Sequence, residues 1–281
     1  GTAITYDAIG NPLKWRNAAS FVWYGRQLLQ FQGLEGSAIS YGYNADGIRT
    51  SKTFYDVDSD VTGTVKYTLD GNTIVAENRS GTNIYYTYDD KGSIMGMIYG
   101  GENYIFSKNL QGDVIGIYNV DGQLVAKYKF NAFGEITAIT DASGNNISTN
   151  ATHIANINPF RYRGYYYDTE TGFYWLSSRY YDPEVGRFIN ADGYVSTGQG
   201  IIGHNMFAYC GNNPIVRIDA DGTSWKSILK FALHVGNTIL VALGYDTAAF
   251  GASFLNMSKD SSGVYHADFN CWQQYFGYNS F

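Results

Sequence analysis

Cysteine, proline and net positive charge are all scarce in this 281-residue chain, which has two Cys, four Pro and 19 Lys plus Arg against 25 Asp plus Glu. Cys210 and Cys271 are too few for a disulfide-stapled scaffold and wrongly spaced for a zinc site. A net charge of −6 excludes an overall basic surface for nucleic acid or an anionic membrane. The chain opens on Gly1-Thr2-Ala3, without an initiating methionine or a charged-then-apolar leader. It therefore reads as a fragment whose export signal lies upstream. No motif for a cofactor or a metal ion is present.

What the chain has in abundance is 26 Tyr and 33 Gly, with aromatic residues at 17%. That mix favours strands joined by glycine turns over helices. Residues 1–157 carry a degenerate repeat: Tyr6-Asp7-Ala8-Ile9-Gly10-Asn11 begins it, and Tyr43-Asn44-Ala45-Asp46-Gly47, Tyr88-Asp89-Asp90-Lys91-Gly92 and Tyr118-Asn119-Val120-Asp121-Gly122 continue it. The turn glycines 47, 71, 92, 112, 122 and 134 are 24, 21, 20, 10 and 12 residues apart. One or two hairpins fit each interval, so many short antiparallel strands in a stacked array are expected. A single hairpin buries too little to stand alone, and stacking supplies the core. An array cut short leaves an unpaired strand edge near Gly1, which favours association.

Residues 158–222 are the most specific stretch. Alternation over 159–168 predicts a strand, 168–172 an Asp-initiated turn, 173–181 a returning strand, 182–186 a proline turn and 187–189 a third strand. The run FRYRGYYYDTETGFYWLSSRYYDPEVGRFINAD closely resembles the RHS repeat-associated core of RHS/YD-repeat proteins, and NMFAYCGNNPIVRIDADG resembles the motif that closes that core. The upstream repeats extend the resemblance over most of the chain. It implies a mainly β protein in which antiparallel hairpin repeats form a spiralling sheet, a partial shell around a C-terminal passenger. Three parts follow: repeats in 1–157, the core in 158–222 and a variable, incomplete passenger in 223–281. The resemblance further implies a secreted or surface protein of the polymorphic-toxin type used in bacterial competition. An immunity protein or a cell-wall polysaccharide would be its outside partner.

After Gly222 the composition changes. Thr223-Ser224 can cap a helix, and the apolar residues from Trp225 to Leu243 fall near helical spacing. Lys226, Lys230 and His234 interrupt that run, so a helix packed on its own domain is expected rather than a membrane span. Farther on, His266, Asp268 and Cys271 offer acid–base and nucleophilic groups, though three polar residues within six positions read first as surface.

In several proteins that the core resembles, it acts as an aspartyl autoprotease. The resemblance places the two carboxylates at Asp192 and Asp219, with Arg187 as the neighbouring arginine and Thr223-Ser224 as the bond cut. Two carboxylates held together can share one proton, so that one activates water while the other protonates the carbonyl. This chain departs from the cleaving pattern at Gly193 and Ala220, where proline is usual, and at Thr223, where leucine is usual. Asp192 and Asp219 also suit turns. Three functions stand side by side: an encapsulating scaffold, a self-cleaving core, and an adhesion or carbohydrate-binding module using exposed tyrosines.

Overall fold

The computed structural model describes residues 4–16, 18–193, 205–219 and 222, with short strands at 225–227, 257–259 and 265–267. The chain divides into two units, Gly1–Ser227 and Ile228–Phe281. Among the described residues of the first unit, twelve strands form one antiparallel sheet in strict chain order. They are β1 (Ala18–Tyr24), β2 (Gln27–Gly33), β3 (Ala38–Tyr43), β4 (Arg49–Tyr55), β5 (Val61–Asp70), β6 (Thr73–Arg79), β7 (Thr82–Tyr88), β8 (Ile94–Tyr99), β9 (Glu102–Lys108), β10 (Val114–Asn119), β11 (Leu124–Phe130) and β12 (Ile136–Asp141). Each strand pairs with its neighbours in sequence, so tight turns suffice and no crossover is needed.

The repeated Tyr-Asp/Asn pair has a local physical basis. In the turn 89–93, Asp89 Oδ1 accepts from Lys91 N at 3.0 Å and Ser93 N at 2.8 Å. The backbone closes the same turn, with Asp89 N donating to Ser93 O and Gly92 N to Asp89 O. Asn44 and Asn109 do the same with the amides two and four residues on. The fourth position holds glycine at Gly47, Gly92 and Gly112, each in the left-handed region that a side chain disfavours. Where a tyrosine precedes, at Tyr43 and Tyr88, it staples the hairpin to the strand before it. Tyr43 OH donates to Leu28 O at 2.9 Å and Tyr88 OH to Ile74 O at 2.7 Å.

One face of the meander is apolar, with Leu28, Phe31, Ile39, Val65, Ile84, Met97, Ile117 and Ala126 all buried. The segment that follows β12 covers this face. It begins with one helical turn, α1 (Ile154–Ile157), and continues through β13 (Tyr166–Asp168), β14 (Phe173–Leu176), β15 (Arg179–Asp182) and β16 (Arg187–Phe188), which form a four-stranded sheet. Rings lock the two layers together: Tyr86 meets Phe160 edge-on at 4.8 Å and Tyr67 meets Tyr166 at 5.6 Å. A hairpin of β17 (Arg217–Asp219) and β18 (Trp225–Ser227) follows. In the second unit, β19 (Met257–Lys259) pairs with β20 (Tyr265–Ala267).

Three local expectations are corrected. The strand expected over 159–168 is broken, leaving β13 and an isolated bridge of Phe160 to Tyr166, because a 3-10 turn occupies Tyr162–Gly164 with Arg163 at φ 56°. Asp113 causes this by accepting from Arg163 N at 2.9 Å, a long-range bond that overrides the alternation. The strand expected over 173–181 is split between β14 and β15 at Ser177, where φ is 55°. Trp225 begins a short strand rather than a helix, and residues 228–243 of the expected helix lie outside the described residues. Among the described residues, no helix is long and apolar enough to cross a membrane.

Asp89→Ala removes the one side-chain oxygen that accepts both turn amides and is expected to lower stability by about 1–2 kcal/mol. Asp89→Asn keeps Oδ1, as Asn44 and Asn109 do in their turns, and should stay within about 0.5 kcal/mol of the parent. Urea unfolding of both variants tests whether the acceptor or the charge matters.

Candidate functional site

The core segment is held on the sheet by buried charge. Arg49 and Asp168 are both fully buried, and the guanidinium donates twice, Nη1 to Oδ2 at 2.6 Å and Nη2 to Oδ1 at 3.0 Å. Lys52 Nζ donates to Asp168 Oδ1 at 3.0 Å and also to Glu170. The Arg49 guanidinium lies over Trp175 at 4.5 Å and Tyr166 at 5.2 Å, so rings rather than water pack against the cation. Burial alone would raise the Asp168 carboxyl; the charges of Arg49 and Lys52 outweigh it and hold the group below the usual aspartate range. A second clamp joins Asp182 to Trp15 Nε1 at 2.7 Å and to Arg16 at 2.7 Å.

These clamps set the position of β15, whose first residue gathers the candidate site. Arg179 is 4% exposed, and its guanidinium carbon lies 3.5 Å from the centre of the Phe188 ring. Nη2 sits 2.9 Å from Asp192 Oδ2 and 3.5 Å from Asp219 Oδ2, so one nitrogen spans both carboxylates. Nη1 donates to Met206 O at 3.0 Å and Nε to Gly222 O. Asp219 Oδ1 accepts from Gly222 N at 2.9 Å, and Tyr165 OH donates to Asp219 O. Glycine is required at 222: φ is 77°, and a Cβ would stand 2.8 Å from Ser178 Oγ and 3.0 Å from Leu176 O.

The structure thus brings Asp192 and Asp219 together across the 27 residues that separate them. The arginine that joins them is Arg179, whereas Arg187 is exposed and lies over the Phe207 ring at 5.4 Å. A sequence signal for Arg179 exists in Ser178-Arg179-Tyr180-Tyr181, where a cation opens an otherwise aromatic strand and must find carboxylates once buried. Thr223 and Ser224 fall between β17 and β18 and lie outside the described residues, as do Asp268 and Cys271, while His266 falls in β20. Burial pushes the Cys210 thiol up to about 12, leaving it protonated at neutral pH. Among the described residues, no group of three His, Cys, Asp or Glu is placed to hold a metal ion.

A cavity of about 380 Å³ borders this region, lined by residues that include Arg26, Asp46, Trp175, Ser178 and Tyr180. Its mix of polar and aromatic groups resembles a sugar site, but Trp175 is only 5% exposed and its ring carries Arg49. That ring offers no open face for stacking.

A sheet of Asx-turn hairpins capped by an aromatic core on buried ion pairs defines a YD-repeat wall with its closing segment. Residues 72–215, about half of the chain, match the Teneurin YD-shell family model, and the chain belongs to that family. It is similar to the tRNA nuclease WapA of Bacillus subtilis (strain 168), 32% identical over 231 residues that cover 78% of this chain and 9% of that protein. Toxin protein Tse5 of Pseudomonas aeruginosa is 39% identical over 64 residues, 23% of this chain and 5% of its own length. The crystal structure of TcdB2-TccC3-Cdc42 shares the fold, with a TM-score of 0.61 at 20% identity over 81% of this chain and 11% of that one. This chain therefore spans about a tenth of the length of the WapA relatives.

Because the folded-state value of Asp168 is depressed, its contribution is complete above about pH 3.9, the ordinary aspartate value, and is lost as pH falls through the folded value. Asp168→Asn leaves Arg49 without its counter-charge and is expected to cost about 3–5 kcal/mol at neutral pH. Urea midpoints measured between neutral pH and strong acid should show a shallower acid loss in the variant than in the parent.

Proposed function

We propose that this chain is the closing part of a β shell that encloses a C-terminal passenger. Residues 1–157 form wall, 158–222 form the core that seals one face of it, and 223–281 begin the passenger. The observation that carries this reading is the docking of the core across the apolar face of the meander through the buried Asp168 and Asp182 clamps. A segment held that way is a fixed plug rather than a mobile arm. Membership of the YD-shell family supports a wall, and relatives named as a tRNA nuclease and a toxin support cargo of the polymorphic-toxin type. Under this reading the whole protein works outside the cell or on its surface, and an immunity protein or a wall polysaccharide belongs to its surroundings.

Limited proteolysis of this chain lengthened upstream by further YD repeats tests enclosure. Residues beyond 222 should resist protease until acid or urea opens the wall. Cutting of the tail in the native protein as fast as in the isolated tail would rule enclosure out.

A second reading is favoured by a separate observation, the convergence of Asp192 and Asp219 on Arg179. In it, the core hydrolyses the Thr223–Ser224 bond. One carboxylate takes a proton from water, whose oxygen adds to the Thr223 carbonyl, while the other, protonated, donates to the carbonyl oxygen. Collapse delivers a proton to the Ser224 nitrogen and leaves a carboxylate on Thr223. Phe188 and Tyr165 exclude bulk water from the group, which strengthens each charge interaction.

Intact mass under denaturing conditions is the test, since the β17–β18 pairing would keep both pieces together in native buffer. Two species that divide at Thr223, with a single full-length species for Asp219→Asn, are the expected result. Continued cutting in Asp219→Asn would remove that residue from the mechanism.

A further inference from the structure

The carboxylate of Asp192 is aimed by Arg179, but the backbone that carries it is fixed from elsewhere. Three polar groups of the Ala191–Asp192 stretch each have a different partner. Ala191 N donates to Gly10 O at 3.0 Å, and Asp192 N donates to Met206 O at 2.9 Å. Ala191 O, the carbonyl immediately before Asp192, accepts from Arg26 Nη1 at 2.5 Å. Two of the three partners lie in the first hairpins of the chain, and Arg26 is separated from Ala191 by 165 residues.

Those first hairpins form one joined rim. Asn11 is fully buried, and its Nδ2 donates to Asp7 Oδ2 at 2.8 Å and to Gly25 O at 2.7 Å, tying the turn that holds Gly10 to the turn that holds Arg26. Trp23 Nε1 adds a bond to Pro12 O at 2.8 Å. Tyr6 packs on Phe207 with ring centres 5.3 Å apart, so the same rim also touches the segment that supplies Met206 O. Met206 O in turn accepts from Arg179. The rim therefore meets both backbone stretches that frame the arginine.

We infer that Arg26 is a positioning residue for Asp192, and that the rim of the first hairpins makes the pairing of Asp192 with Asp219 dependent on completion of the sheet. The inference rests on the self-cleaving reading and adds its regulation. A core segment folded by itself lacks the donor on Ala191 O and the acceptor for Ala191 N, so its Asp192 is not held at bonding distance from Arg179. Cutting then waits until β1 and β2 have docked, which ties passenger release to a finished wall.

The test is a time course of the 281-residue chain made in a cell-free reaction and quenched at intervals into denaturant for intact mass. Arg26→Ala should cut about ten- to a hundredfold more slowly, the scale expected for a small displacement of a reacting group. Arg26→Lys keeps a donor and should recover part of the rate. Low-millimolar guanidinium should also restore Arg26→Ala, because the ion can occupy the vacated place on Ala191 O, whereas a general folding defect would not respond to so low a concentration. Arg26→Ala cutting at the parental rate overturns the inference while leaving self-cleavage intact. Slow cutting with a lowered melting temperature and no recovery by lysine or guanidinium also overturns it, since Arg26 would then only support the fold. A parental chain that stays whole removes the self-cleaving reading, and this inference falls with it.

Discussion

The pairing of Arg49 with Asp168 is the contact on which the rest of the first unit depends. Neither side chain reaches solvent, and each would be strongly destabilising alone. Together they share two bonds, with Lys52 as a second donor to the carboxylate. Such a pair adds little by itself over two well-packed apolar residues, but it tolerates only one relative placement of wall and core. A shift of β13 by one residue would turn Asp168 to the opposite face and leave Arg49 unpaired.

The same economy runs along the whole seam. Glu77 is 1% exposed and accepts from Tyr86 OH at 2.6 Å and Tyr166 OH at 2.7 Å, with Arg79 beside it. Asp182 takes Trp15 and Arg16, and Asp113 takes the backbone of Arg163. Carboxylates of the core meet cations or ring donors of the wall, and carboxylates of the wall meet hydroxyls and amides of the core. Apolar burial supplies the attraction between the layers, and the charges choose the register. The candidate site at Arg179 repeats the device inside the core itself, where one nitrogen spans two carboxylates as Lys52 does with Asp168 and Glu170 across the seam.

Much of this was legible in residues. Asp and Asn before a glycine at regular intervals predicted hairpins, and each turn forms because its acceptor and donors lie within five positions. The motif points to Asp192 and Asp219, and both carboxylates reach Arg179. The motif points to Arg187, whereas Arg179 joins the aspartates; both open short strands, and only their partners tell them apart. The expected strand at 159–168 failed for a similar reason: the alternation was real, but Asp113, 50 residues away, captured the Arg163 amide and turned the chain.

Sequence alone determined the turns, the strand alternation and the mainly β class, because those follow from bonds between close neighbours and from side chains that alternate across a pleat. Tertiary structure alone decided which face of the sheet is covered, which arginine joins the aspartates and what holds Asp192. Arg49 finds Asp168 across 119 positions and Arg26 finds Ala191 across 165. Contacts at that range depend on the accumulated twist and register of every strand between them, which no local pattern encodes.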